Sequence, residues 1–181
     1  MHLQQLIRSG MHVEHLKIGE CIFTAAPMLI STVLGSCVSV TMHHARSRMA
    51  GMFHAMLPLA AMQGGRPEFE PCKFADSAVE LLVQRYRNAG VPLRQVEVKL
   101  FGGGFTVDPE RKGPIRDMVD VGRKNVESAR ATLARFGLAP QREHVLGDKG
   151  RKLYFHTVTG EVWMRSIEPK LMASRPPVGG R

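Results

Sequence analysis

The chain is 181 residues long, 44% hydrophobic and 23% charged, with a formal net charge of +9. That is one domain's length with apolar material for a real core, which favours a globular fold over disorder. No apolar run reaches the roughly eighteen residues a membrane span needs, and "MHLQQLIRSGMHVEHL" lacks a hydrophobic signal region, so a cytoplasmic protein is expected.

Residues 1–16 read as an N-terminal extension to a single domain over 17–167, and "EPKLMASRPPVGGR" from Glu168 reads as a disordered tail rich in Pro and Gly. The opening half of the domain reads as strands: "MLIST" is β-prone, "CVSVTM" alternates, and "RMAGMFHAML" alternates over ten residues. "LAAMQGGRPEFEPCK" is a loop marked by Gly64, Gly65, Pro67 and Pro71. "FADSAVELLVQRYRNAG" is a helix, with Ala75, Ala78, Val79, Leu82, Val83 and Tyr86 in one stripe and Gly90 at the C-terminal cap. "VEVKLF" alternates as a strand that runs into Gly102-Gly103-Gly104. A second helix follows over "VGRKNVESARATLARFG", with Val126, Ala129, Leu133 and Phe136 on one face and Gly137 at its end. "RKLYFHTVTGEVWMRSI" reads as a hairpin turning near Thr159-Gly160. Strands, then helix–strand–helix, then a hairpin give an α+β fold with mostly antiparallel or mixed sheets flanked by helices.

Several chemistries are disfavoured by the same pass. The three cysteines (Cys21, Cys37, Cys72) are odd in number and form no CxxC pair, which argues against a disulfide framework. His43-His44 has no matching HxxxH or CxxC partner, so no metal is expected. The basic residues are dispersed, and the runs "RKGPIR" and "GDKGRK" lie in glycine-containing loops with little aromatic interleaving, so nucleic acid is not expected as a partner. An acidic protein substrate fits the positive charge. "LFGGGFTVDPERKG" follows a strand but lacks the Lys-Ser/Thr ending of a phosphate-binding loop, and Pro109 and Pro114 interrupt any helix there.

Chemistry concentrates instead in "LGSCVSVTMHHARSRMAGMFHAMLP". If its two strands form an antiparallel hairpin turning between Ala45 and Arg46, His43 faces Arg48 and Cys37 faces His54. Directly opposed β-carbons lie about 4.5–5.5 Å apart, within reach of a thiol–imidazole hydrogen bond, whereas a one-residue slip separates the pair onto opposite faces. An imidazolium beside the thiol favours the thiolate, and the backbone N–H groups of the Gly35-Ser36-Cys37 turn could meet an oxyanion. Ser31 and Thr32 could supply an oxygen that fixes the imidazole. The bland reading is that Cys37 is an inert strand cysteine and that His54, between Met52 and Met56, is a satisfied core histidine.

These residues resemble the chemoreceptor glutamine deamidase family, CheD. The resemblance is carried by "LGSCVSV", by the histidine seventeen residues after the cysteine in "GMFHAMLP", by "KIGE" (Lys17–Glu20) and "KFADSAVELL" (Lys73–Leu82), by the triple glycine, and by "VGRKNVESA" (Val121–Ala129). It implies a layered domain similar to the catalytic domains of deamidating bacterial toxins. It also implies a cysteine hydrolase that converts glutamine side chains of methyl-accepting chemoreceptors to glutamate through a thioester, with some methylesterase activity and no metal or cofactor. The family's cysteine falls on Cys37 and its histidine on His54. Its third residue, typically a threonine six positions before the cysteine, falls on Ser31, with Thr32 the competitor. A CheC-type phosphatase is implied as a possible regulatory partner. The rival reading is a non-catalytic chemotaxis scaffold.

Overall fold

The computed structural model describes residues 3–63, 70–104 and 120–168. The expected tail beyond Glu168, the stretch holding Gly64, Gly65 and Pro67, and the stretch holding Pro109, Pro114 and "RKGPIR" lie outside the described residues.

Among the described residues, nine strands and three helices build the domain: α1 (Leu3–Arg8), β1 (Val13–His15), β2 (Cys21–Thr24), β3 (Leu29–Leu34), β4 (Val38–His44), β5 (Met49–Phe53), α2 (Ala75–Asn88), β6 (Glu97–Gly102), α3 (Val121–Arg135), β7 (Arg142–Val145), β8 (Gly150–His156) and β9 (Val162–Ile167). They form two sheets, one in the order β1-β3-β8-β9 and one in the order β2-β5-β4-β6-β7. Each sheet has one parallel pair, β1 with β3 and β6 with β7, and is otherwise antiparallel. The α+β fold with mixed sheets is therefore as the sequence implies. The segment before residue 17 contributes to it, since β1 joins the first sheet and Leu16 is buried.

Alternation along the strands sorts the side chains into two cores. Ile30, Leu34, Leu153 and Phe155 of the first sheet pack against Ala50, Met52 and Phe101 of the second. On its other face the second sheet presents Val38, Val40, Met42, Phe53, Val98 and Leu100 to Ala78, Val79 and Leu82 of α2 and to Val126, Ala129 and Leu133 of α3. The molecule is thus sheet on sheet on helices, and β4, in the middle layer, is buried along its whole length. Full burial of each such side chain contributes about 1.5–3 kcal/mol, so the layers are held mainly by these two cores. The Tyr86 hydroxyl ties α2 to the hairpin, lying 2.8 Å from Met42 O and 3.0 Å from Met49 O.

The β4–β5 hairpin forms, but two residues away from the expected register. Thr41 pairs with Met52, His43 with Ala50 and His44 with Met49. The reason is the loop, which spans Ala45–Arg48 and closes with Arg48 at φ 55, so it is centred one residue later than expected. An even slip keeps every side chain on its face.

Candidate active site

The isolated bridge Val38↔Ala55 continues the register of the hairpin, which sets Ser39, not Cys37, across from His54. Cys37 is then a diagonal neighbour on the same face, half-buried and packed against the inter-sheet core. The sequence expectation of directly opposed partners in a thiol–imidazole hydrogen bond is corrected on both counts: the placement is diagonal, and Cys37 makes no hydrogen bond to His54 Nε2.

Cys37 ends the turn by which the chain leaves the first sheet at Leu34 and enters the second at Val38. Each carbonyl of that turn has a donor. Gly104 N donates to Gly35 O (2.8 Å), Asn125 Nδ2 to Ser36 O (3.0 Å) and Gly103 N to Cys37 O (2.8 Å). The glycines are needed here. Gly102, at φ +108, lies against Cys37 O so closely that a Cβ would collide with it, and a Cβ on Gly122 of α3 would stand 2.7 Å from Gly103 O.

His54 follows β5 and is buried. Its backbone is clamped by the segment before β2, with His54 N donating to Glu20 O (3.0 Å) and Gly19 N to His54 O (2.8 Å). Its Nδ1 lies 2.8 Å from Thr32 Oγ1. The Thr32 hydroxyl donates its single proton to Leu16 O (2.8 Å), so toward the imidazole it can only accept. Nδ1 therefore carries the ring proton and Nε2 the lone pair. That Nε2 is buried and has no hydrogen-bond partner among the described residues. A neutral imidazole held in this tautomer, with a free nitrogen, is what a general base requires.

Ser31, the residue the family spacing selects, does not reach the imidazole. Its hydroxyl donates to Leu153 O of β8 (3.1 Å). The physical reason is the period of two: Ile30, Thr32 and Leu34 share the inter-sheet face of β3, and Ser31 projects to the other side. The oxygen beside His54 belongs to Thr32.

Electrostatics describe a resting pair in neutral form. Burial pushes the Cys37 thiol up to about 11, against a smaller opposing effect of its own backbone N–H. Burial also lowers His54, partly offset by the Leu16 carbonyl and the Glu20 carboxylate. Burial thus disfavours the charged form of both groups, in opposition to the ion pair that an imidazolium beside the thiol would form. Cys21 and Cys72 are a separate pair of thiols. Cys21 is lowered to about 7, chiefly by a hydrogen bond with Cys72, whose own thiol is raised by the same contact. Among the described residues no group of three or more His, Cys, Asp or Glu could hold a metal ion, and no helix is long and apolar enough to cross a membrane.

Asn125 had no place among the sequence candidates. It lies on the buried stripe of α3, where an amide among Val126, Ala129 and Leu133 is the one available signal.

Stacked mixed sheets under a helical layer, with a thiol, an imidazole and a hydroxyl on the inter-sheet face, define a layered α+β protein. The chain belongs to the CheD family: the profile described as "CheD chemotactic sensory transduction" matches residues 56–166. Relatives carry the name "Probable chemoreceptor glutamine deamidase CheD". One from Nitratidesulfovibrio vulgaris is 56% identical over 162 residues, 87% of this chain and 80% of the relative. One from Oleidesulfovibrio alaskensis is 51% identical over 158 residues, covering 87% and 74%. One from Thermococcus kodakarensis is 36% identical over 151 residues, covering 83% and 90%. Among solved structures, a Bacillus licheniformis hypothetical protein, YfiH, aligns with a TM-score of 0.41 at 15% identity, over 68% of this chain and 49% of that one.

Proposed function

We propose that the protein is a cytoplasmic chemoreceptor glutamine deamidase in which Cys37 is the nucleophile, His54 the base and acid, and Thr32 the residue that orients the imidazole. The observation that carries this reading is the Thr32–His54 hydrogen bond, which leaves Nε2 unprotonated on the face that also bears Cys37. Family membership and the names of the relatives support the substrate.

The chemistry begins as the Cys37 thiol closes on His54 Nε2, which has no partner at rest among the described residues, and passes its proton to it, since burial favours the protonated thiol. The thiolate attacks the glutamine carboxamide carbon, and the oxyanion meets the backbone N–H of Cys37. Collapse breaks the C–N bond, and ammonia leaves with the proton from His54. Water, deprotonated by His54, then hydrolyses the thioester to glutamate and free thiol. Thr32 Oγ1 and the Glu20 carboxylate stabilise the imidazolium in both halves. The net charge of +9 favours encounter with acidic receptor helices, and a CheC-type phosphatase is a regulatory partner in this reading.

Incubation with a chemoreceptor cytoplasmic fragment tests the substrate. The expected result is ammonia release with the deamidation mass shift at discrete glutamines, and none with an unrelated glutamine-rich helical protein. Equal deamidation of both, or of neither, contradicts it.

A further inference from the structure

Asn125 is fully buried on α3, and its side chain reaches two segments far away in the sequence. Nδ2 donates to Ser36 O at 3.0 Å, in the turn that carries Cys37, and to Met56 O at 3.1 Å, two residues after His54. Both amide protons are used. Exchanging the amide oxygen and nitrogen would set lone pairs against two carbonyls, so the network dictates the orientation. The Oδ1 atom is buried without a partner among the described residues, an arrangement that is costly to keep. No other standard side chain of similar size offers two coplanar donors at that spacing, and none of its apolar isosteres offers any.

The same helix face is fitted to the site. One turn earlier Gly122 lies against Gly103 and Gly104, whose N–H groups hold Cys37 O and Gly35 O. One turn later Ser128 Oγ donates to Pro58 O at 2.6 Å. In a trans peptide the carbonyl of one residue and the N–H of the next point in opposite directions. Pinning Ser36 C=O toward α3 therefore turns the Cys37 N–H away from the helix, toward its own thiol.

We infer that Asn125 is a positioning residue for the reaction: it fixes the spacing between the Cys37 turn and the His54 segment and aims the Cys37 N–H at the oxyanion. This rests on the reading of Cys37 and His54 given above. Displacement of reacting groups by about 1 Å can cost on the order of a hundredfold. Asn125→Leu and Asn125→Ala should therefore lower kcat about ten- to hundredfold while KM stays within about twofold.

The experiment measures kcat, KM and Tm on the full chain with a receptor fragment, beside Cys37→Ala and Tyr86→Phe. Tyr86→Phe breaks a buried hydrogen bond remote from the site and supplies the purely structural loss. It should lower Tm with kcat little changed. Asn125→Asp adds a readout that packing alone does not move. Its protonated acid can donate one hydrogen bond, so kcat should recover in part as pH falls, a trend the wild type lacks. That variant decides the matter if the other two do not fold. Wild-type kcat in a folded Asn125→Leu, a kcat loss in Tyr86→Phe matching that of Asn125→Ala, or an Asn125→Asp pH profile parallel to wild type overturns the inference. If instead Cys37→Ala stays active, the site reading fails. An inactive Cys37→Ala beside a normal Asn125→Ala defeats the Asn125 role alone.

Discussion

At the scale of single residues, the site depends on one proton's location. Thr32 Oγ1 spends its hydrogen on Leu16 O and so obliges His54 to donate from Nδ1. In the proposed reaction His54 takes the Cys37 proton, and this contact then becomes a hydrogen bond from a cation, a class that contributes about 1.5–3 kcal/mol. Removing it with Thr32→Val should lower kcat by roughly ten- to 150-fold, with receptor affinity retained, and Thr32→Ser should keep most activity. Ser31→Ala removes a bond to the β8 carbonyl and should act on stability, by about 0.5–1.5 kcal/mol, rather than on turnover. Steady-state kinetics with denaturant midpoints separate the two. A silent Thr32→Val beside a dead Ser31→Ala would reverse the assignment.

At the scale of elements, the turn between β3 and β4 is held from below by the triple glycine and by the first turns of α3. Gly103 sits at φ +65 with Gly122 O 2.7 Å from where a Cβ would stand, and it lends its N–H to Cys37 O. Gly103→Ala therefore meets both a backbone conformation that L-residues avoid and a wall of helix backbone. A loss of about 1–3 kcal/mol is expected, with a fall in kcat because the Cys37 turn shifts. Gly137, also at positive φ but with open space around it, is the comparison: Gly137→Ala should lose stability while leaving kcat alone. Chemical denaturation and kinetics on the pair check this.

Much of this level was legible in the sequence. Both long helices, β3, β4, β6 and the β8–β9 hairpin follow from hydrophobic period and from Gly90, Gly137 and Gly160, each at positive φ. The shared face of Cys37 and His54 also survives, because the register error was even. What could not be read was decided by distant contacts or by strain. Arg48 at φ 55 is not a residue type that announces a turn's centre. β1 is three residues long and exists by pairing with β3, and the Asn125 partners lie 89 and 69 residues away along the chain. Choosing Thr32 over Ser31 needed the buried face of β3, which Ile30 and Leu34 mark, rather than the count back from the cysteine.

For the whole molecule, the site is a property of the layering. Thr32 comes from the first sheet, His54 from the second, Cys37 from the turn that joins them, and Asn125 from the helical layer. Holding neutral imidazoles inside has a consequence for stability. His43, His54 and His156 are all buried, and burial lowers each pKa, with the Glu97 and Lys99 charges acting in opposite senses on His43. The unfolded chain takes up protons near pH 6.5, where the folded protein resists them. The contribution to stability is therefore complete above that pH and is lost as pH falls toward the lowered folded values. Thermal unfolding should show a lower Tm at pH 5.5 than at pH 7.5, and the drop should shrink in His43→Gln and His156→Gln. A Tm indifferent to pH across that window would contradict the account.

The central claim is that Cys37 carries the acyl group. Rapid acid quench of the wild-type protein turning over a receptor fragment, followed by peptide mass spectrometry, tests it most directly. The account predicts a hydroxylamine-sensitive adduct on Cys37, equal in mass to the substrate minus ammonia, with no such adduct on Cys21 or Cys72 and no product from Cys37→Ala. Deamidated receptor produced by Cys37→Ala, or an adduct that maps to another side chain, would contradict it.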